Sequence, residues 1–171
     1  VHAAGVAYLE QERLYMRLTT EQKAVNHETW THILNVQRLL ADVQIELGER
    51  MLAHDQTKLG PPEVAIFTEF TPKLKDMEYG SEEYKECLAG MKPALDHHYA
   101  NNRHHPEFHK DGVNDMTLVD LIEMICDWTA SSKRNKSGDV RKGLPYNKER
   151  FGLSDQLYRI LCNTVEAIDP K

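Results

Sequence analysis

Apolar residues recur at spacings of three and four along most of the chain, and this period constrains the fold more than any other feature. Between Glu28 and His54 the apolar positions are Ile33, Val36, Leu40, Val43, Leu47 and Met51. Such spacing is typical of an amphipathic helix, in which a turn takes about 3.6 residues. No segment alternates apolar and polar residues as a half-buried strand would. We therefore predict an all-α fold, a single compact domain over residues 1–171 with about five to seven helices.

Proline, glycine and capping residues mark where the other helices begin and end. Further helices are predicted over four segments, which run approximately through residues 62–74, 81–99, 117–133 and 154–167. Thr117 is the predicted N-cap of the most apolar of these helices. Pro93 should kink or restart the helix that contains it. Loops are predicted over residues 101–114 and over a basic stretch marked by residues 137–139 and 143–145.

The charge balance limits the partners that the chain can take. It has 27 acidic and 21 basic side chains, a formal net charge of -6, which argues against binding long nucleic acids. No run approaches the roughly 18 apolar residues of a membrane span. The chain begins with VHAAG, which we interpret as a trimmed terminus and not as a signal peptide. We expect a cytoplasmic protein that has no membrane partner, and we leave open whether it forms a homo-oligomer.

Histidine carries the functional signal of this sequence. The three cysteines, Cys87, Cys126 and Cys162, are far apart and lie among apolar residues, so we expect buried free thiols. Two of the nine histidines, His2 and His27, sit alone, and the others are His32, His54, His97, His98, His104, His105 and His109. We expect His97 to point away from His98 towards the surface.

The doublet His54-Asp55 lies at the end of the long predicted helix. Adjacent helical residues differ by about 100° in direction, so both can reach one ion only near the helix terminus. His32 lies about six turns upstream, roughly 33 Å along a straight helix. To bring His32 to His54 the helix would have to break, and Gly48 is the expected weak point.

The order of a lone histidine, a His-Asp doublet and a later aspartate on an apolar helix resembles the HD-domain superfamily of metal-dependent phosphohydrolases. In this chain the set is His32, His54-Asp55 and Asp127, within a metal-site core of residues 28–134. The resemblance implies that these four residues bind a metal ion.

Members of that superfamily with two ions add histidines between the doublet and the last aspartate. His98 lies in this interval together with His104 and His105, and the sequence does not decide which of the latter two is a ligand. Asp55 could bridge two ions. Imidazole and carboxylate ligands suit Fe, Mn, Zn, Co or Ni better than Ca, so we expect one or two divalent transition-metal ions.

A second resemblance is to a narrower group of small phage and bacterial proteins. It rests on residues 97–108, on the helix containing residues 120–128 and on residues 147–151. If the chain is phage-encoded, it would act in the host cytoplasm. This resemblance implies no substrate.

The HD resemblance implies hydrolysis of a nucleotide or a related small phosphate ester, with metal-activated water as the nucleophile. Besides Asp55, the candidates for catalytic roles are His98, His105 and Glu123, the last of which lies one turn before Asp127. The predicted contacts to the anionic substrate are basic residues near the site in sequence, namely Lys58, Arg103, Lys133, Arg134 and Lys136.

Alternatives to this interpretation remain open at the level of sequence. The same superfamily includes di-iron oxygenases, so oxygen chemistry is one alternative. In another alternative, a metal ion would only hold helices together or support binding of a partner. Glu123 and Asp127 could also form ion pairs with Lys133, Arg134 or Arg150. The basic residues after Asp127 could simply be a solvated helix end, because cations favour helix C-termini.

Overall fold

The computed structural model describes residues 13, 16–74, 77, 81–134 and 138–170. Six α-helices lie in these ranges, α1 (Thr20–Ala53), α2 (Glu63–Leu74), α3 (Glu82–Asn101), α4 (Leu118–Ser132), α5 (Val140–Phe151) and α6 (Asp155–Ile168). Short 3₁₀ segments cover Gln56–Leu59, Pro106–Phe108 and Gly112–Asp115. The structure is 81% helical and has no strand in its described part, which confirms the all-α prediction. None of the described helices is long and apolar enough to cross a membrane.

The chain divides into two compact units, Val1–Ile45 and Glu46–Lys171. Helix α1 begins before the predicted start at Glu28 and passes through Gly48 without interruption. The predicted break at Gly48 is therefore wrong, since a glycine costs a helix only about 1 kcal/mol. No residue of α1 is buried, and the side chains of the predicted apolar stripe are partly or largely exposed.

Local capping explains where the later helices begin. Thr117 accepts a hydrogen bond from the Asp120 amide, and the Asp120 carboxylate accepts one from the Thr117 amide. This capping box confirms the predicted N-cap of α4. Ser154 caps α6 through the Leu157 amide in a similar way. Pro93 lies inside α3, which does not restart there.

The predicted loop at residues 143–145 is wrong, because these residues lie inside α5. Asp139 caps this helix by accepting a hydrogen bond from the Arg141 amide. Val140 and Leu144 are one turn apart and both buried. Capping together with this paired burial outweighs the local preference of Gly143 and Pro145 for a turn.

The hydrophobic core of the second unit is formed by α4, α5 and α6. Its most buried members include Met124, Ile125, Leu144, Leu161 and Val165. Helix α4 thus has one face in the core, while Glu123 and Asp127 lie outside the cluster of core residues. Among the cysteines, Cys87 is buried as expected, but Cys126 is exposed because it lies on the side of α4 away from the core.

Candidate metal centre

The chain turns sharply where α1 ends, and this turn sets the direction of Asp55. Asp55 has φ 56° and ψ 12°, in the left-handed region. Aspartate is one of the few residues other than glycine that adopt this conformation readily. The 3₁₀ segment Gln56–Leu59 follows at once, and the Lys58 amide donates to the Asp55 carbonyl at 2.9 Å. His54 and Asp55 therefore approach the same region of the second unit from the end of one helix.

Three histidines lie close to Asp55, and two of them approach its Oδ1 atom. Oδ1 lies 3.2 Å from Nε2 of His98 in α3 and 3.6 Å from Nε2 of His104 in the following loop. Nε2 of His105 lies 3.0 Å from Nε2 of His98. All four residues offer ligand atoms within 4.8 Å of one another. This arrangement is close enough to bind a metal ion.

A second group lies on the other side of Asp55. Its Oδ2 atom is 3.6 Å from Nε2 of His54, which is 3.7 Å from Oδ1 of Asp127 in α4. These three residues also offer ligand atoms close enough to share an ion. The two oxygens of Asp55 thus face different groups of ligands.

Two buried polar atoms between these groups have no hydrogen-bond partner, Oδ1 of Asp55 and Nε2 of His104. They are the only such side-chain atoms in the described parts of the chain. An unsatisfied buried polar atom costs about 1–3 kcal/mol, more when charged. Because the two atoms face each other, a cation between them would satisfy both. The donor set therefore fits a metal ion.

Carboxylates behind the histidines determine which ring nitrogen faces the cluster. Glu123 Oε1 lies 2.9 Å from Nδ1 of His54 and 3.1 Å from Nδ1 of His104. Glu63 Oε2 lies 2.9 Å from Nδ1 of His98. A carboxylate at Nδ1 favours a proton on that nitrogen and leaves the Nε2 lone pair for a metal ion.

An ion-pair network supports Glu123 from the side away from the cluster. Nη1 of Arg50 lies 3.3 Å from Glu123 Oε2 and 2.6 Å from Asp120 Oδ1. Asp120 is fully buried and also accepts from Arg103 at 3.2 Å. Glu123 is thus held between one arginine and two histidines.

The charges of the cluster shift the pKa values of its members. Asp127 and Glu123 raise the pKa of His54 to about 10, although burial opposes this effect, so His54 is protonated at pH 7 and a bound ion would have to displace the proton on its Nε2 atom. Burial favours a raised pKa for Glu123, but His104 and His54 outweigh it and lower the pKa to about 2. Burial, together with His104 and His98, lowers the pKa of His105 to about 3. His105 is therefore neutral at pH 7 and keeps a lone pair for a cation.

The two aspartates stay ionised for related reasons. Burial favours a raised pKa for Asp55, but His98 and Lys58 outweigh it and hold the pKa well below its usual value. Burial likewise opposes ionisation of Asp127, and His54 more than compensates, so that the pKa of Asp127 is lowered. Both aspartates are thus anionic, and one of them, Asp55, carries the unpartnered oxygen.

Most of the predicted site residues converge in the second unit. The structure brings together His54, Asp55, His98, His104, His105, Glu123 and Asp127. Lys58 lies at the edge of this group, with Nζ 2.6 Å from Asp55 Oδ2. His104 and His105 both offer ligand atoms to the cluster, and which of them is a ligand stays open.

Other predicted residues lie elsewhere. His32 is exposed on α1 within the first unit, and its role as a ligand stays a prediction. Arg103 pairs with Asp120, and Lys133 lies 2.6 Å from Asp169. Arg134 is exposed after the end of α4, and Lys136 falls outside the described residues.

Sequence reasoning missed Glu63 and misjudged His97. Glu63 is fully buried at the start of α2, and its Oε1 lies 2.7 Å from Nδ1 of His97. His97 is partly exposed, but it shares this carboxylate with His98. A glutamate in the first turn of a helix is favoured by the helix dipole, so its position alone carries no functional signal. The pairing of Glu63 with a histidine doublet becomes visible only in three dimensions.

Fold and site together define an all-α protein with a cluster of histidines and carboxylates close enough to bind a metal ion. The chain belongs to DUF5662, a family of unknown function whose sequence profile matches residues 21–167. No curated protein and no solved structure matches the chain. The resemblance to the HD superfamily stays a prediction from sequence.

Proposed function

We propose that this protein is a metal-dependent phosphohydrolase that acts on a nucleotide or a related small phosphate ester. The observation that supports it most is the pair of unpartnered buried atoms, Asp55 Oδ1 and His104 Nε2, among inward-facing Nε2 atoms. Buried polar groups without partners are rare in folded proteins and ask for a ligand that satisfies them. A site of this kind suits the hydrolysis that the sequence resemblance implies.

The residues that would bind the metal fall into two sets that share Asp55. One set comprises Asp55, His98, His104 and His105, and the other comprises His54, Asp55 and Asp127. Imidazole combined with carboxylate suits Fe, Mn, Zn, Co or Ni. We propose one or two such ions, with Asp55 as the bridging ligand if both sets are filled.

A bound divalent ion supplies a nucleophile at neutral pH, because it lowers the pKa of its water to about 7. In this proposal, residues of the chain would hold the substrate and position the metal ligands. Lys58 lies beside Asp55 at the edge of the cluster and would hold a phosphate oxygen as a point charge. Glu123 is held by His54, His104 and Arg50, so we assign it to positioning the histidines and not to proton transfer.

Metal analysis combined with a substrate screen tests this proposal. The purified protein would be stripped with a chelator, reloaded with Mn, Co, Zn or Fe, and assayed for phosphate release from nucleotides with and without oxygen. We expect turnover without oxygen that is lost on chelation and restored by a divalent ion.

Two results would contradict the hydrolase. A strict requirement for reduced iron and oxygen would indicate a di-iron oxygenase. No turnover under any condition, together with a large loss of thermal stability on chelation, would indicate a metal that only holds helices together or supports binding of a partner.

A further inference from the structure

We propose that Glu63 is a positioning residue, which fixes His98 so that its Nε2 atom faces the metal centre, and that His97 braces Glu63 in this role. The proposal concerns metal binding and rests on the proposed function only in so far as that function requires the ion.

The burial of Glu63 requires an explanation. Its carboxylate is fully buried at the first residue of α2. A buried carboxylate costs several kcal/mol unless hydrogen bonds or opposite charges compensate. Each of its oxygens has one histidine partner, since Oε1 lies 2.7 Å from Nδ1 of His97 and Oε2 lies 2.9 Å from Nδ1 of His98. The carboxylate is thus satisfied only in one orientation.

The neighbours of His98 leave its Nδ1 atom to Glu63. The side-chain amide of Asn102 is 3.0 Å from this atom, but it also donates to the His98 carbonyl at 2.8 Å and to the Thr57 hydroxyl at 2.9 Å. An amide has two hydrogens, which these two acceptors use. The Thr57 hydroxyl also lies 3.2 Å from Nδ1, but a hydroxyl can accept as well as donate, whereas the Glu63 carboxylate, which is closer, can only accept. Nδ1 of His98 can therefore donate to Glu63, and its Nε2 keeps a lone pair towards Asp55 and His105.

His97 gives the carboxylate its second anchor. It is the residue next to His98 in α3, and about 38% of its side chain is exposed. Consecutive helical residues differ in direction by about 100°, so only an acceptor between them can serve both. Glu63 occupies this position. Glu123 forms the same kind of bridge between His54 and His104, which places a shared carboxylate behind each pair of histidines.

Variants of Glu63 and His97 test the proposal. Affinity for Co²⁺ would be measured by competition with a chromophoric chelator, and the visible spectrum of bound Co²⁺ would report the ligand geometry. We expect Glu63→Gln to weaken Co²⁺ binding about 10–100-fold and to change the spectrum. The matched control is Glu69→Gln, also in α2, where Glu69 pairs with Lys73 at the surface. This control should leave affinity and spectrum unchanged.

The stability of each variant without metal shows whether weaker Co²⁺ binding comes from misplaced ligands or from an unfolded chain. Thermal unfolding of each variant would be recorded in excess chelator. If Glu63→Gln does not fold, His97→Asn decides, because the side chain of His97 is partly exposed and is not one of the candidate ligands. We expect this variant to weaken Co²⁺ binding by a smaller factor and to alter the same spectrum.

The proposal is overturned if a folded Glu63→Gln binds Co²⁺ with the affinity and spectrum of the parent. When only His97→Asn folds, an unchanged affinity and spectrum overturn it as well. These measurements do not depend on turnover. A parent protein that binds Co²⁺ but hydrolyses no phosphate ester contradicts the proposed function alone, whereas a parent that binds no Co²⁺ contradicts both.

Discussion

A single carboxylate, that of Asp55, links the two groups of metal-binding candidates. Its left-handed backbone directs one oxygen to the histidines of α3 and the following loop, and the other to His54. Neither role is visible in the dipeptide His-Asp by itself. Asp55 must adopt a positive φ and must also carry a negative charge. Different substitutions can remove one of these properties without the other.

Substitution of Asp55 should abolish metal binding without unfolding the chain. Asp55→Asn keeps a residue that tolerates positive φ and removes the charge, so we expect loss of stoichiometric metal in a chain that still folds. Asp55→Ala should lose metal equally and cost roughly 1 kcal/mol more, because alanine is strained in the left-handed region. Metal content by mass spectrometry and unfolding in urea would check both results.

A matched control for Asp55 is Asp96→Asn, which removes an exposed carboxylate of α3 that pairs with Lys92. The Asp96→Asn variant should bind metal with the stoichiometry of the parent protein. Retention of stoichiometric metal by both Asp55 variants would refute the assignment of this residue.

Asp120 should make the protein sensitive to acid. Burial opposes its ionisation, but the Thr117 amide and the Arg103 and Arg50 side chains hold its pKa well below the usual value. A lowered pKa in the folded state contributes stability above the unfolded pKa of about 3.9, and this contribution is lost as pH falls towards the folded value. Asp120→Asn should therefore cost about 2–3 kcal/mol at pH 7, because the Thr117 amide and Arg50 lose an anionic acceptor, although Arg50 keeps Glu46 and Glu123.

The difference in free energy of unfolding between parent and Asp120→Asn should be constant above about pH 5 and shrink at lower pH. Urea unfolding at several pH values measures it. Asp155→Asn is the exposed comparison, since Asp155 forms a surface pair with Lys148 and such pairs contribute at most about 1 kcal/mol. A difference for Asp120 that does not vary down to pH 3 would contradict this account.

At the scale of elements, α4 shows how one helix serves both the core and the site. Met124 and Ile125 are buried in the core, whereas Glu123 and Asp127 are one turn apart and reach the histidines. The capping box at Thr117 fixes where this helix begins, and the burial of Met124 and Ile125 in the core fixes its rotation. Packing on one face thereby determines the geometry on the other.

Helix α5 provides a direct test of the core. Leu144 is 1% exposed, in a segment whose glycine and proline favour a loop. We expect Leu144→Ala to lower the free energy of unfolding by about 2–5 kcal/mol, because it leaves a cavity beside α4 and α6. Leu118→Ala, at a side chain that is 75% exposed, should change it by less than about 0.5 kcal/mol.

Chemical denaturation of both leucine variants would be compared, with metal stoichiometry measured in parallel. The stoichiometry should stay that of the parent, since neither leucine touches the cluster. Equal stability of the two variants would mean that residues 143–145 do not pack as a helix against the core.

For the whole molecule, the fold class could be predicted from sequence because helical periodicity is a local property. The doublet His54-Asp55 and Asp127 could be found because their order along the chain is distinctive. The basic residues were predicted from proximity in sequence, which does not determine the direction of a side chain in space, and their role as substrate contacts stays a prediction. Lys133 lies six residues beyond Asp127, roughly 9 Å further along α4, and pairs with Asp169.

Other parts of the site could not be predicted because they depend on tertiary contacts. In the sequence, Glu63 is an ordinary glutamate at the start of a helix. Its role becomes visible only in the structure, where α3 packs against α2 and places two imidazoles beside its carboxylate. The break expected at Gly48 was inferred from a requirement that His32 meet His54, and the cluster in the second unit has a full set of candidate ligands without it.

The adjacency of His97 and His98 restricts how the length of this chain can vary. Both rings reach one carboxylate only at one rotation of α3. A single residue inserted between Met91 and His97 would turn the doublet by about 100° and exchange a buried imidazole for an exposed one. Only an insertion close to a whole number of turns, such as about seven residues for two turns, would preserve the phase. In this helix, the number of residues before the doublet is therefore constrained as strictly as the identity of the two histidines.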